Sequence, residues 1–399
     1  MLIKPMVRNN IFLNAHPEGC ARETERQIAY VEARRADYAR LSGPRAVLVV
    51  GCSTGYGLAT RAAAAFGFRV PTVGLSFERA PTATKTGSPG WYANRAFDAA
   101  AARSGLASRT IDADAYSQGA KEAAIAAAAE LGLRFDLVVY SLASPVRPDP
   151  ATGELHRSVI KPSGKSYRGA PVDVVAGALA EAEIPGATEA EAEATVKVMG
   201  GEDWELWIEA LRAAGALAEG ALTVAYSYVG PSLSWPINRD ATIGRAKAHL
   251  EATAARLSAS APDGLRAYVS INKALVTRSS AVIPIIPLYV STLFKVMKER
   301  GVHEDCVAQM DRLMRSRLYA GGPPALDPEG RIRLDELEMD AKVQSEVASR
   351  MSRIGPYNLA QLADVEGFRG DFLRVHGFEV PGVDYAAEIP PDWDPATSL

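Results

Sequence analysis

Residues 47–61 read V-L-V-V-G-C-S-T-G-Y-G-L-A-T-R, and this stretch decides the fold. The run at 47–50 is short, apolar and rich in β-branched residues, the pattern of a parallel strand that is buried on both faces. Gly51, Gly55 and Gly57 allow a tight turn and a close backbone approach to a phosphate. Because a helix follows, its N-terminal N–H groups face the same anion. The stretch therefore predicts a dinucleotide site.

The glycine spacing is G-x-x-x-G-x-G, which differs from the commonest order, G-x-G-x-x-G, and resembles the turn of the short-chain dehydrogenase/reductase superfamily. Glu78 follows the apolar run at 73–75, about 20 residues beyond the turn, where an acid accepts hydrogen bonds from an adenosine ribose. This acid favours NADH over NADPH, although an arginine such as the neighbouring Arg79 can accommodate a 2′-phosphate. A glycine-rich strand-to-helix turn without a ligand is the alternative interpretation.

Composition narrows the range of partners. The chain has 399 residues, a formal net charge of -3, 48% hydrophobic residues and 23% charged residues, which are ordinary globular values without a polyanion-binding footprint. We therefore expect no nucleic-acid partner. The three cysteines have no paired spacing, which favours a reducing compartment without disulfides. The five histidines are scattered, so no metal site is expected.

The N-terminal segment M-L-I-K-P-M-V-R-N-N lacks the apolar core of a signal peptide. No apolar run approaches the length of about 18 residues that a membrane span needs. These patterns predict a cytoplasmic protein without membrane insertion.

Strands and helices alternate along most of the chain, which predicts an α/β fold with a doubly wound, Rossmann-type parallel sheet. Predicted strands lie at 47–50, 70–75, 108–111, 136–140, 222–228, 265–271 and 331–334. Predicted helices lie at 22–41, 92–104, 119–131, 202–214, 239–257, 288–299 and 368–376. A strand or hairpin at 10–13 is expected against the main sheet. Ligands of such a sheet bind at the carboxyl ends of its strands.

The alternation resumes after an irregular segment, so we expect a single Rossmann-type domain over 1–399. Its parts are a cofactor-binding half at 1–145, an insertion with substrate-side elements at 146–215, a catalytic half at 216–300 and C-terminal lid elements at 301–399. The last part is expected to lie on the carboxyl edge of the sheet over the substrate.

Several long motifs carry a resemblance to a known family. They are H-P-E-G-C at 16–20, G-C-S-T-G-Y-G-L-A at 51–59, T-G-S-P-G-W-Y at 86–92, D-L-V-V-Y-S-L-A-S-P-V-R at 136–147, V-M-G-G-E-D-W-E-L-W-I at 198–208, A-Y-S-Y-V-G at 225–230, I-P-I-I-P-L-Y-V-S at 283–291, L-Y-A-G-G at 318–322 and G-V-D-Y at 382–385. On these motifs the chain is similar, from end to end, to the FabV-type trans-2-enoyl reductases, also called trans-2-enoyl-CoA reductases. The resemblance implies a monomeric enzyme that uses NADH and reduces the double bond of a trans-2-enoyl thioester on coenzyme A or acyl carrier protein.

The resemblance also implies a catalytic tyrosine and lysine separated by eight residues. Lys247 matches the lysine, which is expected to bind the hydroxyls of the nicotinamide ribose, but Asn238 occupies the tyrosine position. A tyrosine hydroxyl donates a hydrogen bond to the thioester oxygen as the enolate forms, whereas an asparagine amide donates a hydrogen bond but is no acid at neutral pH. Losing such an acid typically costs about 10²- to 10⁴-fold in rate.

Three explanations of Asn238 remain open. Tyr228 matches a second active-site tyrosine of the family and could donate to the thioester oxygen while water supplies the final proton, at a lower rate. The chain could instead have moved to another acyl substrate or to the oxidative direction. Asn238 could also be an introduced substitution that slows turnover.

Further roles follow from the resemblance alone. Tyr56 is expected over the active site, and the remaining cofactor contacts are Ser53, Asp114, Ala115, Ser141, Leu142, Ala143, Thr277 and Ser279. Tyr228 and an apolar acyl-chain wall of Ile283, Pro284 and Pro287 are expected to contact the substrate. Trp204 and Trp207 are interpreted as core residues, and Cys52 as a packing residue. A hypothesis from another class is a protein that binds NADH and an acyl thioester with little turnover.

Overall fold

The structure is a computed structural model that describes residues 1–8, 11–169, 172–173, 178–179, 182–278, 286–355 and 357–398. Its strands are β1 (Val7–Arg8), β2 (Ile11–Phe12), β3 (Val47–Val50), β4 (Thr72–Ser76), β5 (Ser108–Asp112), β6 (Phe135–Tyr140), β7 (Val146–Pro148), β8 (Leu155–Arg157), β9 (Tyr167–Gly169), β10 (Val172–Asp173), β11 (Ala178–Leu179), β12 (Ala182–Ile184), β13 (Leu217–Ser227), β14 (Arg266–Ile271) and β15 (Ile332–Arg333).

Its α-helices are α1 (Pro17–Glu32), α2 (Arg35–Tyr38), α3 (Gly55–Ala62), α4 (Pro89–Arg103), α5 (Gln118–Glu130), α6 (Glu189–Met199), α7 (Glu202–Ala213), α8 (Trp235–Asn238), α9 (Thr242–Ala259), α10 (Ile286–Glu299), α11 (Cys306–Leu313), α12 (Ala341–Met351), α13 (Leu359–Leu362), α14 (Val365–Arg374) and α15 (Pro395–Ser398). Wider π-helical turns extend α3 over Ala63–Phe68 and α11 over Met314–Leu318.

Seven of the described strands form one parallel sheet in the order β15-β14-β13-β6-β3-β4-β5. The chain starts at the centre with β3, winds outward through β4 and β5, and returns to the other side through β6. This doubly wound topology confirms the predicted fold class. The order reverses between β3 and β6, and ligands bind at such a reversal, beyond the carboxyl ends of the strands.

Two apolar cores lie on the two faces of the sheet. Val47 and Val49 face the core under α1, α3, α4 and α11, whereas Leu48 and Val50 face the core under α5, α7 and α9. Strands covered on both faces need apolar residues at every position, which explains the unbroken run at 47–50. The prediction that Trp204 and Trp207 are core residues is confirmed, since both are fully buried.

The N-terminal region differs from the prediction in two ways. The β1–β2 hairpin pairs with no described strand of the main sheet. Phe12 instead stacks on His376, beyond α14, with 4.0 Å between ring centroids. Helix α1 begins at Pro17 rather than at residue 22, because the His16 side chain accepts a hydrogen bond from the Gly19 N–H and Pro17 fits the first helical turn.

Helix α9 begins at Thr242 rather than at residue 239, because the preceding residues form the separate short helix α8, which ends at Asn238. The predicted irregular segment after residue 145 contains short antiparallel pairs, namely β7 with β8, β9 with β12 and β10 with β11. The predicted strand near residue 332 is confirmed as β15, which pairs in parallel with β14 at the sheet edge. Helices α12 and α14 pack against α10.

Candidate active site

The glycine turn lies against the loops that follow other central strands. A Cβ at Gly51, which has a φ of 90°, would lie 2.2 Å from the Ser141 carbonyl oxygen. A Cβ at Gly57 would lie 1.9 Å from the Gly51 carbonyl oxygen, so only glycine fits there. Gly55 approaches Thr277, whose Cγ2 would be 3.6 Å from an added Cβ. The structure therefore brings Gly51, Gly55, Gly57, Ser141 and Thr277 to one edge of the sheet.

Glu78 lies beside this turn, with one carboxylate oxygen hydrogen-bonded and the other buried. Its Oε1 accepts hydrogen bonds from Ser53 Oγ at 2.6 Å and from Arg278 Nη1 at 2.8 Å. Its Oε2 is buried and has no hydrogen-bond partner among the described residues. A buried carboxylate oxygen without a donor is costly, and a ribose hydroxyl would supply the donor. This geometry fits the adenosine ribose that the sequence predicted here.

The other predicted cofactor contacts lie at the ends of neighbouring strands. Asp114 and Ala115 follow β5; Asp114 Oδ1 accepts from the Tyr116 N–H, and the carbonyl of Ala115 accepts from Trp207 Nε1. Leu142 and Ala143 follow β6 directly, with Leu142 partly buried and Ala143 exposed. These four residues share the carboxyl edge of the sheet with the glycine turn.

Lys247 and Tyr228 lie next to each other. The Lys247 ammonium lies 5.5 Å from the centroid of the Tyr228 ring. Burial lowers the pKa of Lys247 to about 8. Burial, with the Glu338 carboxylate next, raises the pKa of Tyr228 well above its ordinary value. Tyr228 is therefore a neutral hydroxyl that can donate a hydrogen bond, and the Lys247 ammonium loses its proton near pH 8.

Asn238 ends helix α8 and is 2% exposed. Its Nδ2 is buried and has no hydrogen-bond partner among the described residues. The amide is therefore an unused donor inside the protein rather than a surface replacement.

Tyr56 is partly buried, and its hydroxyl donates to the Lys273 carbonyl. That contact ties the glycine turn to the segment after β14. Pro287 is buried in the first turn of α10. Ser279, Ile283 and Pro284 lie outside the described residues. Cys52 is fully buried, as predicted for a packing residue.

A buried cluster that sequence reasoning missed surrounds the Tyr228 hydroxyl. Glu338 Oε1 accepts from Tyr228 Oη at 3.0 Å and from Tyr289 Oη at 2.6 Å. Glu338 Oε2 accepts from the Ala274 N–H at 2.6 Å. Tyr289 lies in the motif at 283–291, which marked the region, but no local pattern links it to an acid in the tail.

No group of three or more His, Cys, Asp or Glu side chains among the described residues is arranged to hold a metal ion. Within the same part of the chain, every helix is too short or too polar to cross a bilayer.

Comparison with known proteins decides the family. A model described as the trans-2-enoyl-CoA reductase catalytic region matches residues 85–319, which is more than half of the chain. The chain belongs to the trans-2-enoyl-CoA reductase family. A model described as the NAD(P)H binding domain of trans-2-enoyl-CoA reductase matches residues 2–83, and one described as an enoyl reductase FAD binding domain matches residues 326–389.

Relatives in this reductase family are similar over nearly their whole length. The trans-2-enoyl-CoA reductase [NADH] of Treponema denticola is 53% identical over 392 residues, covering 98% of both chains. The enoyl-[acyl-carrier-protein] reductase [NADH] of Flavobacterium johnsoniae is 47% identical over 390 residues, covering 97% of both chains. A crystal structure of the Treponema denticola enzyme in complex with NAD matches with a TM-score of 0.95, covering 98% of both chains.

The two cofactors that these descriptions name fit differently. The free Oε2 of Glu78 and the close glycine turn fit the ribose and pyrophosphate of NADH. In the segment at 326–389, β15 is followed by L-D-E-L-E-M-D instead of a glycine-rich turn, so the close backbone approach that a pyrophosphate needs is not encoded there. That segment does not fit FAD, whereas the reductase turn fits NADH.

Proposed function

We propose that this reductase-family protein catalyses the NADH-dependent reduction of the C2–C3 double bond of a trans-2-enoyl thioester. The observation that carries the proposal is the pairing of two half-sites at one sheet edge. One is the glycine turn with the free oxygen of Glu78, and the other is the Tyr228 hydroxyl beside Lys247. The names of the relatives support both coenzyme A and acyl carrier protein as carriers of the acyl group.

NADH, when bound, supplies a hydride to C3 of the enoyl group. The protein has to hold the cofactor and to stabilise the negative charge that develops on the thioester oxygen. Glu78 would accept from the adenosine ribose, and Lys247 would donate to the nicotinamide ribose. Tyr228 would donate a hydrogen bond to the thioester oxygen, since Asn238 offers no acidic proton. Water would deliver the proton to C2.

The remaining cofactor and substrate contacts that were assigned from the sequence belong to the same proposal. Asp114 and Ala115 would contact the adenine, and Ser141, Leu142 and Ala143 would contact the nicotinamide ribose. Thr277 would lie at the nicotinamide and pyrophosphate end. Pro287 would form part of the acyl-chain wall. We propose a monomer, with the tail after residue 300 closing over the substrate.

A second candidate function is binding of NADH and an acyl thioester with little turnover. Asn238 favours it, because the family position of the catalytic tyrosine has no acid in this chain.

Consumption of NADH with crotonyl and longer enoyl thioesters tests the proposal, for the protein and for Asn238→Tyr. The reductase account expects consumption by both forms, with the tyrosine form faster. If neither form consumes NADH at any chain length, the reductase function is wrong. If only the tyrosine form does, the binding function is favoured.

A further inference from the structure

Glu338 is completely buried, and three hydrogen-bonding groups converge on its carboxyl. It comes from the segment between β15 and α12, which delivers it to the end of β13. Carboxyls are rarely buried so completely unless they are paired, and a buried carboxyl with a shifted pKa is a candidate functional group. The neighbours determine what that use is.

One of the three contacts has a fixed direction, and a second has a favoured direction. The Ala274 N–H can only donate, and it donates to Glu338 Oε2. Tyr289 Oη already accepts from Gln344 Nε2 at 3.1 Å, and this favours its own proton pointing to Glu338 Oε1 at 2.6 Å. The contact between Glu338 Oε1 and Tyr228 Oη can run in either direction.

The direction depends on whether Glu338 carries a proton. An ionised carboxylate only accepts, so the Tyr228 proton must point to Glu338 and is unavailable to a substrate. A neutral carboxyl donates from Oε1 to Tyr228 Oη, which leaves the Tyr228 proton free. The same hydroxyl is thus a donor to the thioester oxygen in one state and is occupied in the other.

We propose that Glu338 is a positioning residue that sets the direction of the Tyr228 hydrogen bond, so that the neutral carboxyl releases the tyrosine proton towards the thioester oxygen. The inference rests on the proposed reductase function. Tyr228 would keep its proton and donate it only as a hydrogen bond, bound NADH would supply the hydride at C3, and water would supply the proton at C2. With Asn238 at the family tyrosine position, this arrangement supplies the hydrogen-bond donor from Tyr228 instead.

The surroundings of Glu338 favour the neutral form. Burial is the largest effect and raises the pKa of Glu338, while Tyr289, the Ala274 N–H, Lys273 and Tyr228 oppose it. Lys273 is the charged group among these, and burial lowers its own pKa to about 8. Lys247 faces the Tyr228 ring, and Gln344 Nε2 binds the Glu338 backbone carbonyl.

The test compares the pH dependence of kcat/KM for NADH oxidation with crotonyl-CoA in the full-length protein and in Glu338→Gln. A glutamine can place its oxygen at the Ala274 N–H and its two amide N–H groups at the Tyr228 and Tyr289 hydroxyls, so that both hydroxyls accept and the Tyr228 proton stays released. Glu336→Gln, in the same segment but 40% exposed, is the matched control. Thermal melting checks that each variant folds.

The wild type is expected to lose activity as pH rises through the ionisation of Glu338. Glu338→Gln is expected to stay within about 3-fold of wild type at low pH and to lose this decline, which leaves only the decline from Lys247 near pH 8. Glu336→Gln should follow the wild-type profile. If the wild type is active and Glu338→Gln shows the same pH profile, or a profile lowered equally at every pH, the proposed role of Glu338 is wrong. The reductase function would still stand in that case. A wild type that binds NADH but never oxidises it overturns the reductase function and this inference with it.

Discussion

The Tyr228 hydroxyl and Glu338 Oε1 share a hydrogen bond at 3.0 Å, although 110 residues separate the two along the chain. The contact joins the end of the central strand β13 to the segment after the edge strand β15. It gives Tyr228 a fixed orientation beside Lys247. The tail therefore contributes directly to the candidate active site.

Tyr228→Phe is expected to lower kcat by about 10²- to 10³-fold, the usual effect of removing one donor to a developing oxyanion. The phenyl ring keeps the packing of the tyrosine. Tyr226→Phe is the matched control, because the Tyr226 hydroxyl contacts Thr60 instead of the Glu338 cluster. Steady-state rates of NADH oxidation check this. Equal losses in both variants would argue against Tyr228 as the donor.

Asn238→Tyr is expected to raise kcat by about 10²-fold or more, because it restores an acid where the family has one. The added ring enters a buried position, since Asn238 is 2% exposed, so thermal melting must accompany the rates. An unchanged kcat in a folded variant that still binds NADH would show that position 238 has lost its role in this chain.

Glu78→Ala is expected to weaken NADH binding by about 10- to 100-fold, the value of a hydrogen bond to a charged group. The free Oε2 would lose its ribose partner, and Ser53 and Arg278 would lose their acceptor. NADPH binding should change less, because its 2′-phosphate cannot use the carboxylate. Fluorescence titration with both cofactors measures the difference. An equal loss for both cofactors contradicts the assignment of Glu78.

Affinity for NADH is expected to fall as pH rises through about 8, because burial lowers the pKa of Lys247 to that value and the ammonium is lost above it. The contribution of this lysine to folding runs the opposite way. An unfolded chain keeps the proton up to the ordinary pKa, so the free energy of unfolding from this group rises between the two values. Deprotonation of Lys247 therefore does not favour unfolding, so a loss of folded protein from this group cannot explain the expected loss of NADH affinity. Lys247→Met should bind NADH weakly and without this pH dependence; a pH dependence that persists in the variant would assign it elsewhere.

Gly57→Ala is expected to abolish tight NADH binding and to destabilise the fold, because the added Cβ would lie 1.9 Å from the Gly51 carbonyl oxygen. Gly119→Ala is the control, since a Cβ there meets nothing within 4 Å and alanine favours a helix by up to about 1 kcal/mol. Melting temperatures and NADH titrations separate the two. A Gly57→Ala protein that binds NADH as the control does would show that the turn can relax.

Local patterns predicted the sheet well. The run at 47–50, the glycine turn and Glu78 are encoded within about 30 residues, and their spacing follows from how a strand, a turn and a helix hold a dinucleotide. The strand near residue 332 was also predictable, because residues 331–334, R-I-R-L, alternate polar and apolar side chains. Helix starts were less predictable: α1 starts at Pro17 because of the His16 side-chain cap, a residue type that rarely caps helices.

Contacts between distant segments could not be predicted. Nothing near Phe12 indicates that it packs on His376 instead of the main sheet. The cluster of Tyr228, Tyr289 and Glu338 depends on three elements that meet only after the sheet has formed. The tail contains several acidic residues, and the sequence does not indicate which of them is buried. Burial is set by the helices that cover the residue in the folded protein.

Transfer of deuterium from NADH labelled at the reactive C4 position to an enoyl thioester tests the central claim most directly. Mass spectrometry of the product from crotonyl-CoA and the wild-type protein should find one deuterium at C3 of the saturated thioester and a solvent proton at C2. A protein that binds the labelled NADH but yields no saturated thioester, or yields one without deuterium at C3, would contradict the account.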